Sequence, residues 1–302
     1  MKEGKASRTA AGTAGERAIE SFRPANERVL YDPYAIQFLG GIYSIIAKTR
    51  FLISSRLLVK IMDWYMSRLV PGGNTYDVVR ARYIDDYLIQ CIDDGIEQLI
   101  LLGAGYDSRA FRFSALKEKV KVFEVDHPDS QRGKKEKVRK IFGSLPDHVV
   151  YVPIDYDKDK MSEKLFESGY DRNLKTLFIW EGVTYFLTDE AVDETLAFVV
   201  NNSGEGSSVI FDYAYESFID GRMKEGEKLR RKCVQLGEPA LFGIEEGTIE
   251  EFLGKRGFVQ VKDMNAESLE DTYFKGTTRK SCPFFAIVHA TVKPREGTQE
   301  VA

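Results

Sequence analysis

Histidine and cysteine are scarce in this 302-residue chain, with three of each. Cys91, Cys233 and Cys282 are odd in number, far apart and without a C-x-x-C pair. That pattern offers no disulfide framework and no cysteine metal or redox motif, and it suits a reducing cytoplasm. His127, His148 and His289 are also scattered, and none has catalytic spacing to a second acid. H-E-x-x-H and G-x-S-x-G are both missing, which weakens zinc-enzyme and serine-hydrolase readings. An excess of positive charge is missing too. The 43 Lys and Arg are outnumbered by 47 Asp and Glu, so there is no electrostatic footprint for nucleic acid. The basic run Gln131–Lys140 reads as the solvated face of a helix. Long apolar runs are absent. The richest stretch, Phe51–Leu69, is interrupted by Arg56, Lys60, Asp63 and Arg68 and does not read as a membrane span. Met1–Ala18 has charges and no apolar core, unlike a secretory signal.

What is present is an alternation of strand and helix patterns around one stretch, Glu97–Arg109. The apolar run Leu99–Gly103 leads into Gly103-Ala104-Gly105, and Asp107-Ser108 can cap a helix over Arg109–Leu116. Glycine lets the backbone approach a ligand that a Cβ would block. A second strand, Lys121–Asp126, ends in an acid 21 residues beyond Gly105. That is close to the spacing, about 20 residues, at which a carboxylate meets a ribose in nucleotide-binding units. The alternative is an ordinary turn with a surface Asp. A dinucleotide fingerprint would want a third small residue where Ser108 stands. Asp107 also places negative charge where a pyrophosphate would sit. A nucleoside cofactor without phosphate fits better, and S-adenosylmethionine (SAM) is such a molecule.

Further strands are expected at His148–Pro153, Thr176–Trp180, Ser207–Phe211, Phe258–Val261 and Pro283–Val292, with a turn-like loop over Asp263–Ser281. Helices are expected at Thr9–Phe22, from Asp32-Pro33 to Leu39, within Ile42–Leu69, over Thr75–Ile92, from Thr188 to Val200 and over Gly247–Lys255. In the Thr75–Ile92 helix Arg80 and Arg82 point in different directions. The polar stretch Glu216–Glu246 reads as an inserted helical lid.

Three segments, Leu101–Arg109, Phe123–Pro128 and Trp180–Leu187, together resemble the leucine carboxyl methyltransferase-like family, and in particular its microbial branch of SAM-dependent O-methyltransferases. Arg80–Asp86 and Asp32–Ala35 match it as well, and the resemblance runs from about Thr9 to about Val292. The resemblance implies SAM as cofactor, bound by Gly103, Ala104 and Gly105, with Asp126 and the adjoining His127 at the ribose. It implies Asp155 and Tyr156 against the adenine, although Asp155 reads equally as the cap of a helix from Lys158. It implies Glu181 beside the α-ammonium, and an arginine on the methionine carboxylate. Arg80 and Arg82 both match that arginine, with Arg82 preferred; either also reads as the partner of a nearby acid. Tyr185 is implied beside the transferred methyl and reads equally as a core aromatic. Arg17 and Arg23 are candidates for an N-terminal lid.

The expected fold is α/β, a class I SAM-methyltransferase-like doubly wound sheet of seven strands with an antiparallel last strand. Residues 1–95 would form a helical cap, 96–292 the SAM-binding domain with a helical insertion at about 214–246, and 293–302 a tail. The expected reaction is methyl transfer to a carboxylate or acidic hydroxyl. The acceptor would be a small molecule or a protein C-terminal carboxylate, in the cytoplasm, with no metal, nucleic acid or membrane. An NAD-dependent oxidoreductase and a non-catalytic binding protein of the same fold are the rival readings.

Overall fold

The computed structural model describes residues 8–39, 59, 73–155 and 158–294. Its centre is a seven-stranded sheet of β1 (Gln98–Leu102), β2 (Lys121–Asp126), β3 (Val149–Pro153), β4 (Thr176–Trp180), β5 (Ser208–Ala214), β6 (Phe258–Met264) and β7 (Phe285–Val292). The spatial order is β3-β2-β1-β4-β5-β7-β6. The first five strands run parallel, and β7 is antiparallel to both β5 and β6.

β1 and β4 are buried at every residue, as strands covered on both faces must be. Their side chains alternate between two cores. Leu99, Leu101, Leu177 and Ile179 join one, and Ile100, Leu102, Phe178 and Trp180 the other. The first core is closed by α1 (Arg8–Ser21), α2 (Gly73–Asp93) and α3 (Pro128–Phe142), through Ala14, Ala18, Val79, Tyr83, Leu88 and Val138. The second is closed by α4 (Asp189–Asn201) and the helices Met161–Glu167 and Ile249–Gly254. After β5 come the short helix Glu216–Ile219 and α5 (Glu227–Leu236).

Several expectations need correction, among them the end of the sixth strand, which runs on to Met264, and the helix from Asp32-Pro33, which is the single turn Ala35–Phe38. The helix over Arg109–Leu116 is two pieces, Arg109–Arg112 and Ser114–Lys119, because Phe113 between them has extended backbone at φ −94°, ψ 106°. β5 runs on to Ala214, since Asp212, Tyr213 and Ala214 pair with Ile287, Ala286 and Phe285. The Asp263–Ser281 loop holds a helix, α6 (Ala266–Tyr273), whose start is capped by Asn265 accepting from the Ser268 N–H at 2.9 Å. Apart from Val59, the helical region expected within Ile42–Leu69 lies outside the described residues, and so do Tyr156 and residues 295–302. Among the described residues no helix is long and apolar enough to cross a membrane.

Candidate functional site

In the sheet the connections run outward on either side of β1, through β2 to β3 and through β4 to β5. The loops leaving the carboxyl ends of β1 and β4 therefore part in opposite directions and leave a crevice, the place where open α/β sheets bind ligands. Gly103 and Gly105, at φ +68° and +43°, turn the chain out of β1. Only glycine takes such angles without strain. Gly103 also has no room for a side chain, because a Cβ there would lie 2.5 Å from Val183 Cγ2.

The end of β2 meets this turn directly. Asp126 Oδ2 accepts from the Gly105 N–H at 2.7 Å, and Oδ1 accepts from the His127 N–H at 2.7 Å. Burial raises the Asp126 carboxyl above its usual range, and the two N–H donors restrain the shift. The Ala104 N–H is spent on Val125 O at 3.0 Å.

Beside the turn lies a connected network of charge. Arg109, just past the turn, donates to Asp85 Oδ1 at 2.7 Å and through Nη1 to Asp107 Oδ2 and Glu181 Oε2, each at 2.6 Å. Arg80, on α2, donates to Glu181 Oε1 at 3.0 Å and to Asp212 Oδ2 at 2.7 Å, and its Nη2 lies 3.0 Å from Asp77 Oδ1. Asp212 also accepts the Gly182 N–H at 2.6 Å. Arg112 grips Asp85 at 2.7 and 3.0 Å and donates to Ser108 Oγ. Ser108 in turn donates to Asp32, which is paired with Arg17 at 3.0 Å. Arg17 Nη2 reaches Tyr106 O at 2.7 Å and so ties α1 to the turn.

Among the described residues this network joins six carboxylates (Asp32, Asp77, Asp85, Asp107, Glu181 and Asp212) to four guanidiniums (Arg17, Arg80, Arg109 and Arg112), an excess of two negative charges among them. Burial pushes the Glu181 carboxyl up, but Arg109 and Arg80 outweigh it and hold it down at about 2. For Asp212 burial wins over Arg80 and the Gly182 N–H, and its carboxyl is raised. Such a set repels a phosphate and suits a nucleoside that carries positive charge. The donor chemistry therefore fits SAM, which has a ribose for Asp126, an α-ammonium for an acid such as Glu181 and a cationic sulfur.

The structure brings Gly103, Ala104, Gly105, Asp126, His127, Arg80, Glu181 and Tyr185 to the strand ends. Tyr185 is buried with its hydroxyl 3.5 Å from Arg80 Nη1. His127 uses Nδ1 to cap α3, accepting from the Asp129 N–H at 3.3 Å. Arg82 is not part of the set. It faces outward, half-exposed, and pairs with Asp86 at 2.9 Å and Val29 O at 3.0 Å, whereas Arg80 turns inward among Asp77, Glu181 and Asp212. Arg23 pairs with Glu20 at 2.7 Å. Asp155 stands beyond β3, with Lys158 Nζ at 2.6 Å from its Oδ2; the next helix starts at Met161, so Asp155 does not cap it. Sequence reasoning missed Arg109, Asp85, Asp107 and Asp212 as site residues. Arg109 had a signal, since it ends the glycine-turn motif. Asp212 is the last residue but two of β5, which runs three residues past the Phe211 end that the apolar pattern predicts. The histidines His148 and His289 are engaged in the fold, with Ala110 O at 2.9 Å and the Tyr83 hydroxyl at 3.0 Å.

The model of the family described as leucine carboxyl methyltransferase matches residues 10–200. The chain is 30% identical over 239 residues to the Bacillus subtilis protein named "putative S-adenosyl-L-methionine-dependent methyltransferase YktD", covering 78% of this chain and 77% of that one. It is 33% identical over 201 residues to a Streptomyces coelicolor protein of the same descriptive name, SCO7813, covering 66% of each chain. Among solved structures, a DUF574 family protein from Streptomyces avermitilis superposes with a TM-score of 0.53 at 15% identity, covering 78% of this chain and 90% of that one, and shares the fold.

Proposed function

The chain belongs to the leucine carboxyl methyltransferase family and is a SAM-dependent methyltransferase, and from that premise we propose that it methylates an oxygen of a small molecule, a carboxylate or an acidic hydroxyl, in the cytoplasm. SAM, when bound, supplies an electrophilic methyl group on a cationic sulfur. The chain's own residues bind, orient and set charge. We assign the turn Gly103-Ala104-Gly105 to the nucleoside, Asp126 to the ribose, Asp155 to the adenine edge and Glu181 to the α-ammonium. Arg80 is assigned to the α-carboxylate, by releasing one of its three acidic partners. Tyr185 borders the acceptor side. The N-terminal cap through about residue 95 and the insertion at about 214–246 are assigned to enclosing the acceptor.

The observation that carries the reading is the meeting of Asp126 with the Gly105 N–H beside a network with surplus negative charge. That pair fixes a carboxylate at the crevice and leaves the charge balance open to a cation. Each histidine ring has a partner within the fold, so an acceptor that arrives already ionised suits the site and makes positioning the main task.

Calorimetric titration with S-adenosylhomocysteine (SAH) and, separately, NAD tests this. Micromolar SAH binding, about −8 kcal/mol, lost in Asp126→Ala and absent for NAD, is the expected result. Binding of NAD alone would move the search to hydride transfer. Methyl transfer from SAM to small carboxylic acids and phenols, followed by mass, then tests the oxygen acceptor; methylation at carbon or nitrogen only would reject it.

A further inference from the structure

Among the described residues Arg80 meets three carboxylates, each at a different nitrogen. Nε donates to Glu181 Oε1 at 3.0 Å, Nη1 donates to Asp212 Oδ2 at 2.7 Å, and Nη2 lies 3.0 Å from Asp77 Oδ1. A carboxylate ligand would be a fourth anion around one cation, so it enters more readily by replacing a partner than by joining all three. The three partners are not equally free to leave. Asp212 is fully enclosed. Its other carboxylate oxygen accepts the Gly182 N–H at 2.6 Å, and its main-chain oxygen accepts the Thr184 hydroxyl. Without Arg80 it would be a buried charge that has lost its counter-ion, which is strongly unfavourable. Glu181 is held a second time, by Arg109 at 2.6 Å. Asp77 is different. Its side chain is 24% exposed, against 11% for Glu181 and 0% for Asp212. It stands three residues before Arg80 on the same helix, so a change of rotamer separates the pair and leaves α2 intact. The loop beside Nη2 is bare as well. A Cβ on Gly182 would lie 3.6 Å from Arg80 Nη2 and 3.7 Å from the Tyr185 hydroxyl, and glycine leaves that space open.

We propose that Asp77 occupies the place of the cofactor's α-carboxylate on Arg80 Nη2 and turns out to solvent when the cofactor binds, while Asp212 stays and holds the guanidinium in position. The inference rests on Arg80 being the partner of the α-carboxylate. One carboxylate replaces another, so the charge around Arg80 is the same before and after. Asp77 is thus an internal competitor. It lowers affinity for a ligand that has an amino-acid end and ignores a ligand that lacks one. Asp212 is a positioning residue, acting through Arg80 and through the Gly182–Thr184 loop that follows Glu181.

Calorimetry of the full chain with SAH and with 5′-methylthioadenosine separates these roles. The second ligand keeps the nucleoside and a thioether sulfur and has no α-amino or α-carboxyl group. Asp77→Asn should bind SAH about two- to fivefold more tightly than the native protein, the range set by a partly exposed ion pair. Its affinity for 5′-methylthioadenosine should equal the native one. Asp212→Asn keeps an oxygen for the Gly182 N–H and removes the charge from Arg80. It should weaken SAH at least about tenfold and 5′-methylthioadenosine by less than about threefold. Unchanged or weaker SAH binding in Asp77→Asn, or equal tightening of both ligands, would overturn the proposal. So would tighter SAH binding in Asp212→Asn, which would make Asp212 the partner that leaves. Thermal unfolding reports whether Asp212→Asn folds; if it does not, the two ligands on Asp77→Asn decide. Arg80→Ala tests the underlying reading, because it should lose SAH and keep 5′-methylthioadenosine. Native SAH affinity in that variant would remove the α-carboxylate assignment, and this proposal with it, whereas a selective loss there with no gain in Asp77→Asn would remove the proposal alone.

Discussion

Arg109 Nη1 donates to Glu181 Oε2 at 2.6 Å across 72 residues of chain, and so the turn after β1 holds the carboxylate at the end of β4. The same carboxylate is gripped from α2 by Arg80 at 3.0 Å. Burial alone would raise the Glu181 carboxyl; the two arginines bring it to about 2, from an ordinary value of 4.5. A depressed acid contributes stability that is complete above its unfolded value and is lost as pH falls through its folded one. Glu181→Gln should therefore lose roughly 3 kcal/mol at pH 7. The gap to the native protein should close between about pH 4.5 and 2. Urea unfolding at several pH values measures this, and a gap that stays constant down to pH 3 would show that the carboxylate is not held by charge.

Arg80 and Arg82 sit two residues apart and should behave as opposites. Arg80→Ala leaves Asp77, Glu181 and Asp212 around an uncompensated space, a loss of about 3–5 kcal/mol for a broken buried pair. It should also weaken SAH binding at least tenfold. Arg82→Ala removes a half-exposed pair with Asp86, a contribution of about 0–1 kcal/mol, and should leave SAH binding unchanged. Thermal unfolding and calorimetry of the two variants decide the assignment of the carboxylate partner. Weak SAH binding in Arg82→Ala with normal binding in Arg80→Ala would restore the preference drawn from the sequence.

Much of this arrangement was legible because strand ends are local features. Lys121–Asp126 and Thr176–Trp180 have the expected limits, since apolar runs bounded by polar residues signal buried strands without help from elsewhere. The seven strands and the antiparallel β7 also stand as expected. What failed depended on distant partners. Asp212 looks like a strand terminator, yet it lies inside β5 because Ile287 of β7 pairs with it and Arg80 neutralises it. Arg80 and Arg82 match the family's segment equally; only the packing of α2 turns one inward. The helix Ala266–Tyr273 shows one fully buried residue, Leu269, too weak a periodic signal to detect.

Gly103 combines two constraints, and its replacement should show both. Alanine at φ +68° is strained, and its methyl would meet Val183 Cγ2 at 2.5 Å. Gly103→Ala should cost about 2–4 kcal/mol, from overpacking of about 1–3 kcal/mol and a backbone cost of about 1 kcal/mol, and should abolish measurable SAH binding. Gly143, at φ +83° with open space around it, is the control. Gly143→Ala should cost only the backbone term, about 1 kcal/mol, and keep SAH binding. Similar losses in the two variants would mean that Val183 moves aside and that the turn is not closely packed.

Glu124 and Lys134 bury a charge pair beneath the turn, with Nζ 2.8 Å from Oε1 and both residues almost fully enclosed. Lys134 Nζ also reaches Ala104 O at 3.4 Å, so the pair underlies the backbone of the glycine turn after β1. Burial raises the Glu124 carboxyl to about 7 even though Lys134 pulls it down, so desolvation exceeds the attraction between the two. The sign is opposite to that of Glu181. The folded state holds the proton more tightly than the unfolded chain, so stability is lost as pH rises from about 4.5 to about 7. Glu124→Gln mimics the protonated form. It should match the native protein at about pH 4, below the unfolded value, and exceed it at pH 8 by at most about 3 kcal/mol. A variant less stable than the native protein at pH 8 would show that pairing with Lys134 outweighs the burial of charge. The double variant Glu124→Gln with Lys134→Met would then separate the two effects, because it removes the ammonium that the single change leaves behind. If the ammonium is needed at Ala104 O, the double variant should keep its stability and lose affinity for SAH.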